Sequence, residues 1–429
     1  MDYDILIVGA GLAGLHSALR LSKQNPKTKI AIAELYNYIG GRVVSYQPKG
    51  FKGISWENGA GRIHSSHTLL LHYIKKYKLT LIPLSEEQIF IDSKSKQVTK
   101  NIWSSHAEIL NKMLHKLSDS VLETQTIHQI LMKLFTEKFV KEICEQFPYY
   151  SELYTMNAKM ALESIHNELG SASNFFVVKE GLSSLIDCMV EDLKDRKVTF
   201  LMGHKLYKVN ENSCMFHEKQ SKDDLPIQRT IKANKIILAL HSEALKQISP
   251  FTTGQGSTSV SPFTNYPILK KIKMEPLLRI YAIFSNSDWF SDLPKMVTNS
   301  PLRFIIPINP KTGVIMISYT DGKDTEYWMK YVDKGNEALQ KEIMKQIRLL
   351  LPDRKIPEPV YIKAHPWYEG CSYWIPGKYS AEEMSEKIMK PFERWDSVFV
   401  CGESYSADKQ CWMEGALEHS EKMLNRYFV

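Results

Sequence analysis

The sequence of 429 residues predicts an α/β fold, and three stretches predict it: DILIVGAGLAGLHSALRL from Asp4, KIAIAELYNYIGGR from Lys29, and SVFVCGESYSADKQCWMEGALEHSEKMLNRYF from Ser397. In the first, the apolar run Ile5 to Val8 is a strand, bounded by Gly9 and followed by an apolar pattern of helical period. That is the context in which a G-x-G-x-x-G turn carries meaning. Gly9, Gly11 and Gly14 fill its three places: a tight turn, close approach of backbone to a pyrophosphate, and close packing of helix on strand. Phosphates would then meet the positive end of the helix dipole. Glu34 follows twenty residues after Gly14, at the end of the second strand. A carboxylate there accepts hydrogen bonds from a ribose diol and repels a 2′-phosphate, which disfavours NADP. Gly40, Gly41 and Arg42 come next.

From Asn101 to about Gly170 helix formers recur at 3.6-residue spacing, without strand-like alternation. Gly181 then opens another helix, and KVTFLMGHKLYKV and KIILAL restore the α/β character. The stretch SPFTTGQGSTSVS, from Ser249 to Ser261, marks a loop or boundary. Beyond it LLRIYAIF, RFIIPI and GVIMISYT read as strands of a sheet with one covered face, and GNEALQKEIMKQIRLLL as a helix. The final stretch returns to strand, turn and helix.

A chain of this length holds two or three domains, and a hydrophobic content of 43% supports a sizeable core. The net charge of +7 is scattered among acids, which argues against a nucleic-acid partner. Six cysteines (Cys144, Cys188, Cys214, Cys371, Cys401, Cys411) lack the paired close spacing of a zinc site, so no metal is expected and the thiols read as reduced. The first strand starts too near Met1 for a secretory leader, and no run of about 20 apolar residues suits a membrane anchor. A cytoplasmic location is the expectation.

Four motifs in order (GAGLAG with Glu34; Gly40-Gly41-Arg42; ENGAGRIHSSH from Glu57 to His67; CGESYS followed by CWMEGALE) resemble the FAD-dependent amine oxidase family, which includes monoamine oxidases, polyamine oxidases and L-amino-acid oxidases. The resemblance implies a Rossmann-like, GR2-type FAD-binding domain made of discontinuous segments (1–85, 175–248 and 395–429). It also implies an α+β substrate domain with a helical part (86–174) and an antiparallel sheet (249–394). The implied cofactor is FAD, the implied partners are a small-molecule amine or amino acid and O2, and a homodimer is compatible with the sequence.

Carried over residue by residue, the resemblance assigns cofactor contacts to Gly9, Gly11, Gly14, Glu34, Gly41, Arg42, Gly59, Ala60, Gly61, Arg62, Leu206, Gly402, Glu403, Trp412 and Met413. Arg42 would lie on the diphosphate, Glu403 would be directed toward the cofactor, and Leu206 would stand beside the adenine, unless it is simply core. Trp412 would be one wall of an aromatic cage, with Tyr373 or Trp374 the other. Arg62 falls where L-amino-acid oxidases hold the substrate carboxylate with two hydrogen bonds, a task suited to a planar fork of donors. Its bland alternative is a pair with Glu57. His64 resembles a pocket histidine of some polyamine oxidases. Arg279 takes the place of a lysine that assists the reaction with oxygen, and arginine is no tunable base. Cys371 falls near the cysteine that monoamine oxidases link to flavin, but its spacing to Pro376 and Gly377 is shorter, so noncovalent FAD is expected. The implied reaction is hydride transfer from the amine-bearing carbon to flavin N5, with catalytic roles for Arg62, Arg279, Tyr373 and Trp412. The expected substrate is an L-α-amino acid with an apolar or aromatic side chain. Rival readings are a monoamine or polyamine oxidase and, in another class, a flavin-binding protein without oxidase activity.

Overall fold

The computed structural model describes residues 1–85, 87–100, 108–110, 112–113, 116–166, 174–218, 225, 227–249, 263 and 266–428. Most of the Gly, Ser and Thr-rich stretch after Ser249, and the ends of the helical stretch at Asn101 and Gly170, lie outside the described residues. The chain divides into two compact units: Met1–Pro83 with Asn174–Ile272 and Tyr379–Val429, and Leu84–Ser173 with Lys273–Lys378.

The first unit is built on a mostly parallel sheet. Its parallel strands run in the order Thr199–Leu201, Ile30–Ala33, Tyr3–Val8, Ile227–Leu238 and Val398–Val400. Three of these, Tyr3–Val8 from Ile5 on, Ile30–Ala33 and Val398–Val400, are continuous apolar runs, as strands covered on both faces must be, and Ile227–Leu238 is a continuous buried apolar run only at its end, Ile236 to Leu238. The amino half of the long Ile227–Leu238 strand turns to a different task. It pairs antiparallel with Ser213–Glu218, which pairs with His204–Asn210. The stretch KVTFLMGHKLYKV is therefore two strands, broken at the turn through Met202 and Gly203. Helices Leu12–Gln24, Leu182–Asp195 and Met413–Tyr427 bury Leu15, Leu19, Leu185, Met189, Leu417 and Met423 with Ile5, Ile7 and Ile32 of the sheet in one core.

Two boundaries fall elsewhere than the sequence suggests. The break after Ser249 moves to Ile272, and the break at 394 moves back to Tyr379. Helix Ala381–Ile388 belongs with the first unit because His419 reaches Ser385 O at 3.1 Å and Met389 joins the nucleotide-side core.

The second unit carries a seven-stranded sheet in the order Tyr361–Trp374, Ile272–Ile283, Val314–Asp321, Phe304–Asn309, Lys295–Thr298, Gln88–Ile91 and Val98–Lys100. From Ile272–Ile283 onward its pairs are antiparallel except Lys295–Thr298 with Gln88–Ile91, which is parallel. The segment read as helical thus opens with a hairpin. Asp92 explains the turn: its carboxylate accepts Ser95 N at 2.7 Å and Lys94 N at 3.0 Å, a local side-chain turn that competes with helix. Helices Asp119–Thr124, Ile127–Leu134, Glu137–Gln146 and Ala158–Ser164 follow. Ile127–Leu134 starts on a capping box between Thr126 and Gln129. Among the described residues no helix is long and apolar enough to cross a membrane.

Candidate active site

Three loops of the first unit are tied side by side by main-chain bonds. Gly40 N donates to Ala10 O at 2.9 Å, and Ala60 N donates to Arg42 O at 2.9 Å. The glycine turn, the Gly-Gly-Arg and the Gly59-Ala60-Gly61 stretch therefore form one surface at the carboxyl ends of the parallel strands, where open α/β sheets bind ligands.

The fit of this surface to a dinucleotide can be tested on its glycines. At Gly9, with φ +107°, an added Cβ would lie 2.4 Å from Ala239 O, and at Gly14 it would lie 2.0 Å from Gly9 O. Packing forbids side chains at both. At Gly11 a Cβ would meet nothing within 4 Å, so the glycine there keeps open a space that no protein atom fills. Gly11 is also the N-cap of Leu12–Gln24, and no side chain caps that end, which leaves the dipole for an anion. Glu34 is buried, its Oε2 accepting Ala10 N at 2.8 Å and its Oε1 accepting Tyr36 N at 3.0 Å. Burial pushes its carboxyl above the ordinary value, against the pull of the Tyr36 and Ala10 amides. The residues fit FAD: amides for the diphosphate, a carboxylate for the ribose.

Arg42 and Glu403 meet, although 361 residues separate them. Arg42 Nη2 lies 2.7 Å from Glu403 Oε2, and Glu403 Oε1 accepts Cys411 N at 2.6 Å. Glu403 is thus the buried anchor of the Arg42 guanidinium. His241 is pushed down to about 3 by burial and then by the Arg42 charge, so it stays neutral and accepts Ala244 N. Leu206 is half-buried and pairs with Phe216 just before a bulge; two residues earlier, His204 N donates to Glu34 O at 2.8 Å.

Cys411 adopts φ +69°, a left-handed turn that costs a residue with a side chain about 1 kcal/mol. The turn sets the direction of Trp412, the N-cap residue of Met413–Tyr427. Trp412 stacks on Phe175 with centroids 5.8 Å apart at 21°, and His67 meets its edge at 5.1 Å. The Arg62 guanidinium lies 4.8 Å from the Phe175 centroid and 5.5 Å from that of Trp412. His64 packs on Phe175 at 5.0 Å, its Nδ1 taking Ser66 N and Ser66 Oγ. His64 N donates to His67 Nδ1, so that nitrogen is the unprotonated one. Glu57, the alternative partner of Arg62, receives Leu182 N at 2.8 Å and the Ser45 hydroxyl. Sequence reasoning missed Phe175 and His67. Nothing local in the run of two phenylalanines before Val177 marks which ring faces an arginine.

In the second unit Arg279 stands opposite Tyr319 across the sheet, its guanidinium 4.9 Å from that ring. Burial works against its charge, but Tyr281, Tyr319 and Tyr149 outweigh burial and the pKa moves up. Arg279 is a permanent cation. Tyr149 abuts both Tyr319 and Phe304, and Tyr281 abuts His365, which burial, then Lys363 and Arg279, push down to about 4. Tyr373 and Trp374 are buried, and Trp374 O accepts Asn157 N at 2.9 Å, which pins the strand end. Cys371 lies two residues before Tyr373 on the same strand and is half-buried. Among the described residues no group of three or more His, Cys, Asp or Glu could hold a metal ion.

A glycine turn, a buried acid after the second strand and an anchored Gly-Gly-Arg are the features of a dinucleotide-binding flavoprotein. The family model of flavin-containing amine oxidoreductases matches residues 12–422, and the chain belongs to that family, with FAD as its cofactor. An uncharacterized protein of Acanthamoeba polyphaga mimivirus is 21% identical over 490 aligned residues, covering 100% of this chain and 94% of that protein. A "Putative L-amino-acid oxidase" of Bacillus subtilis (strain 168) is 40% identical over 75 residues, 18% of this chain and 15% of its own. Among solved structures, putrescine oxidase bound to putrescine superposes with TM-score 0.75 at 14% identity, over 100% of this chain and 99% of the other. Cyclohexylamine oxidase from Brevibacterium oxydans IH-35A superposes with TM-score 0.74 at 15% identity, with the same coverage. These likenesses support the fold: a GR2-type FAD-binding part with an α+β part carrying an antiparallel sheet.

Glu414 holds Trp412 and Met413 in place from behind. Fully buried, it accepts Leu69 N and Leu70 N at 2.8 Å each and the Thr68 hydroxyl at 3.3 Å, capping helix Thr68–Lys76 just past His67. Glu414→Ala leaves those amides unsatisfied and is expected to cost about 2 kcal/mol. Differential scanning fluorimetry of the flavin-loaded protein checks this; an unchanged melting temperature would contradict the anchoring role.

Proposed function

We propose that the chain oxidises an L-α-amino acid with an apolar or aromatic side chain, and that Arg62 binds the substrate carboxylate. The observation that carries this is the posture of Arg62 over Phe175 and Trp412. Two aromatic rings beside a guanidinium hold it in position by cation–π attraction, and a guanidinium is the group that binds a carboxylate by two parallel N–H bonds. The family membership supports amine oxidation, and the similarity to a protein named as a putative L-amino-acid oxidase agrees with the choice of amine.

In this reading Arg62 orients the substrate by two charge-assisted bonds, and Trp412 and Phe175 supply an apolar wall that excludes water around the reacting carbon. When bound, FAD would supply the two-electron acceptor for hydride from the amine-bearing carbon, with O2 as the final oxidant, reduced to H2O2. The amine loses a proton in the same conversion, and water hydrolyses the resulting imine to a keto acid and ammonia. Gly9, Gly11, Gly14, Glu34, Gly41, Arg42, Gly402 and Glu403 are the proposed cofactor-holding residues, with Gly59, Ala60, Gly61, Leu206 and Met413 beside them. Tyr373 is a second aromatic wall. Arg279 replaces a lysine expected at that place and, as a fixed cation, makes reoxidation by oxygen slow. FAD is held noncovalently.

Arg62→Ala should lower kcat/KM for L-amino acids by about 100-fold or more, the loss expected for a bidentate charged pair, while any turnover of tyramine or spermidine persists. Turnover of amines as the main wild-type activity would favour the monoamine or polyamine reading; a flavin that no amine or amino acid bleaches anaerobically would rule out catalysis. Arg279→Lys should speed reoxidation of the reduced flavin by about tenfold, a barrier change of about 1.4 kcal/mol, measured by stopped-flow mixing with aerated buffer. A denaturing gel of the native protein should show no flavin fluorescence on the polypeptide; a fluorescent band would place a covalent link, with Cys371 the residue to substitute.

A further inference from the structure

Between Glu34 and Gly40 the chain makes a short loop that exposes Leu35, Tyr36 and Tyr38 by 44%, 51% and 40%. Three large apolar side chains on one surface loop are unusual unless a ligand or partner uses them. The loop is fixed at both ends. Glu34 N donates to Leu201 O and Glu34 O accepts His204 N, each at 2.8 Å, while Gly40 N is held by Ala10 O. Within it, Tyr36 N donates to Glu34 Oε1, and the rings of Tyr36 and Tyr38 stack at 5.2 Å and 17°. Burial, then the neighbouring Tyr36 and Glu34, push the Tyr38 phenol up to about 12, which keeps it neutral beside the carboxylate.

We propose that the stacked Tyr36 and Tyr38 form an aromatic platform for the adenine of FAD, and that this pair sets how tightly the chain retains its cofactor. The inference rests on the fitted FAD site. Glu34 takes the ribose diol, and the base attached to that ribose is the next group along the ligand. A purine has an apolar face and needs a flat partner. Glu34 cannot supply one, and the two rings that begin two residues after it do. Pairing Tyr36 with Tyr38 also holds the rings preorganised, which lowers the ordering cost on binding.

The test follows release of FAD from the purified, flavin-loaded full chain. Dilution is monitored by the rise in flavin fluorescence for the wild type, the double variant Y36A/Y38A and the double variant Y36F/Y38F. The expected result is a dissociation constant about tenfold higher for the alanine pair, equivalent to about 1.4 kcal/mol, and near the wild-type value for the phenylalanine pair, which keeps both faces. An unchanged constant for Y36A/Y38A overturns the proposal. A loss that Y36F/Y38F fails to restore overturns it too, because the hydroxyls and not the faces would then be responsible. A wild-type protein purified without any FAD would instead refute the cofactor site itself, a different outcome from either.

Discussion

The contact between Arg42 and Glu403 decides how the rest of this protein is put together. One buried carboxylate serves two ends of the chain: one oxygen holds the guanidinium that follows the Gly-Gly turn, and the other holds the amide of Cys411. A buried carboxylate is costly unless both its oxygens are satisfied, and here they are. That satisfaction links the Gly-Gly-Arg loop to the turn from which Trp412 projects. The Gly-Gly-Arg loop and the turn before Trp412 are thereby registered to one another through a single side chain.

Around Trp412 the same economy recurs. Glu414 caps Thr68–Lys76, the ring of Trp412 rests against Phe175 and His67, and Arg62 lies over the aromatic pair. The partners come from three separate stretches of sequence, around Arg62 and His67, at Phe175, and at Trp412 and Glu414. The arrangement favours a planar, edge-bound anion over a cation, since a second cation would meet the guanidinium already there.

Much of the fold was legible because its signals are local. A strand ending in glycine, a helix starting without a polar cap and an acid at fixed distance are written within forty residues, and WMEGAL identifies the other end. What escaped notice depends on contacts across the chain. Nothing near Phe175 tells that it lies under Arg62, and the hairpin at Gln88–Ile91 and Val98–Lys100 adjoins a helical pattern strong enough to colour the whole segment. The boundary at Tyr379 was misplaced for a like reason: helix Ala381–Ile388 has an ordinary amphipathic sequence, and only His419 and Met389 reveal which core it covers. Arg42 shows the same limit inside a motif, since its type was readable but its partner was not.

The central sheet has a consequence for the life of the chain before it works. Its first strand is Tyr3–Val8 and its last is Val398–Val400, so the platform under the glycine turn is incomplete until residue 400 has left the ribosome. Closing contacts of such separation is slow, and the apolar strands of the amino-terminal segment must wait with their edges unpaired. The second unit, by contrast, is complete once residue 378 has emerged. Of these two units, synthesis therefore finishes first the one that is inserted, and the nucleotide-binding unit, started before it, is finished after it.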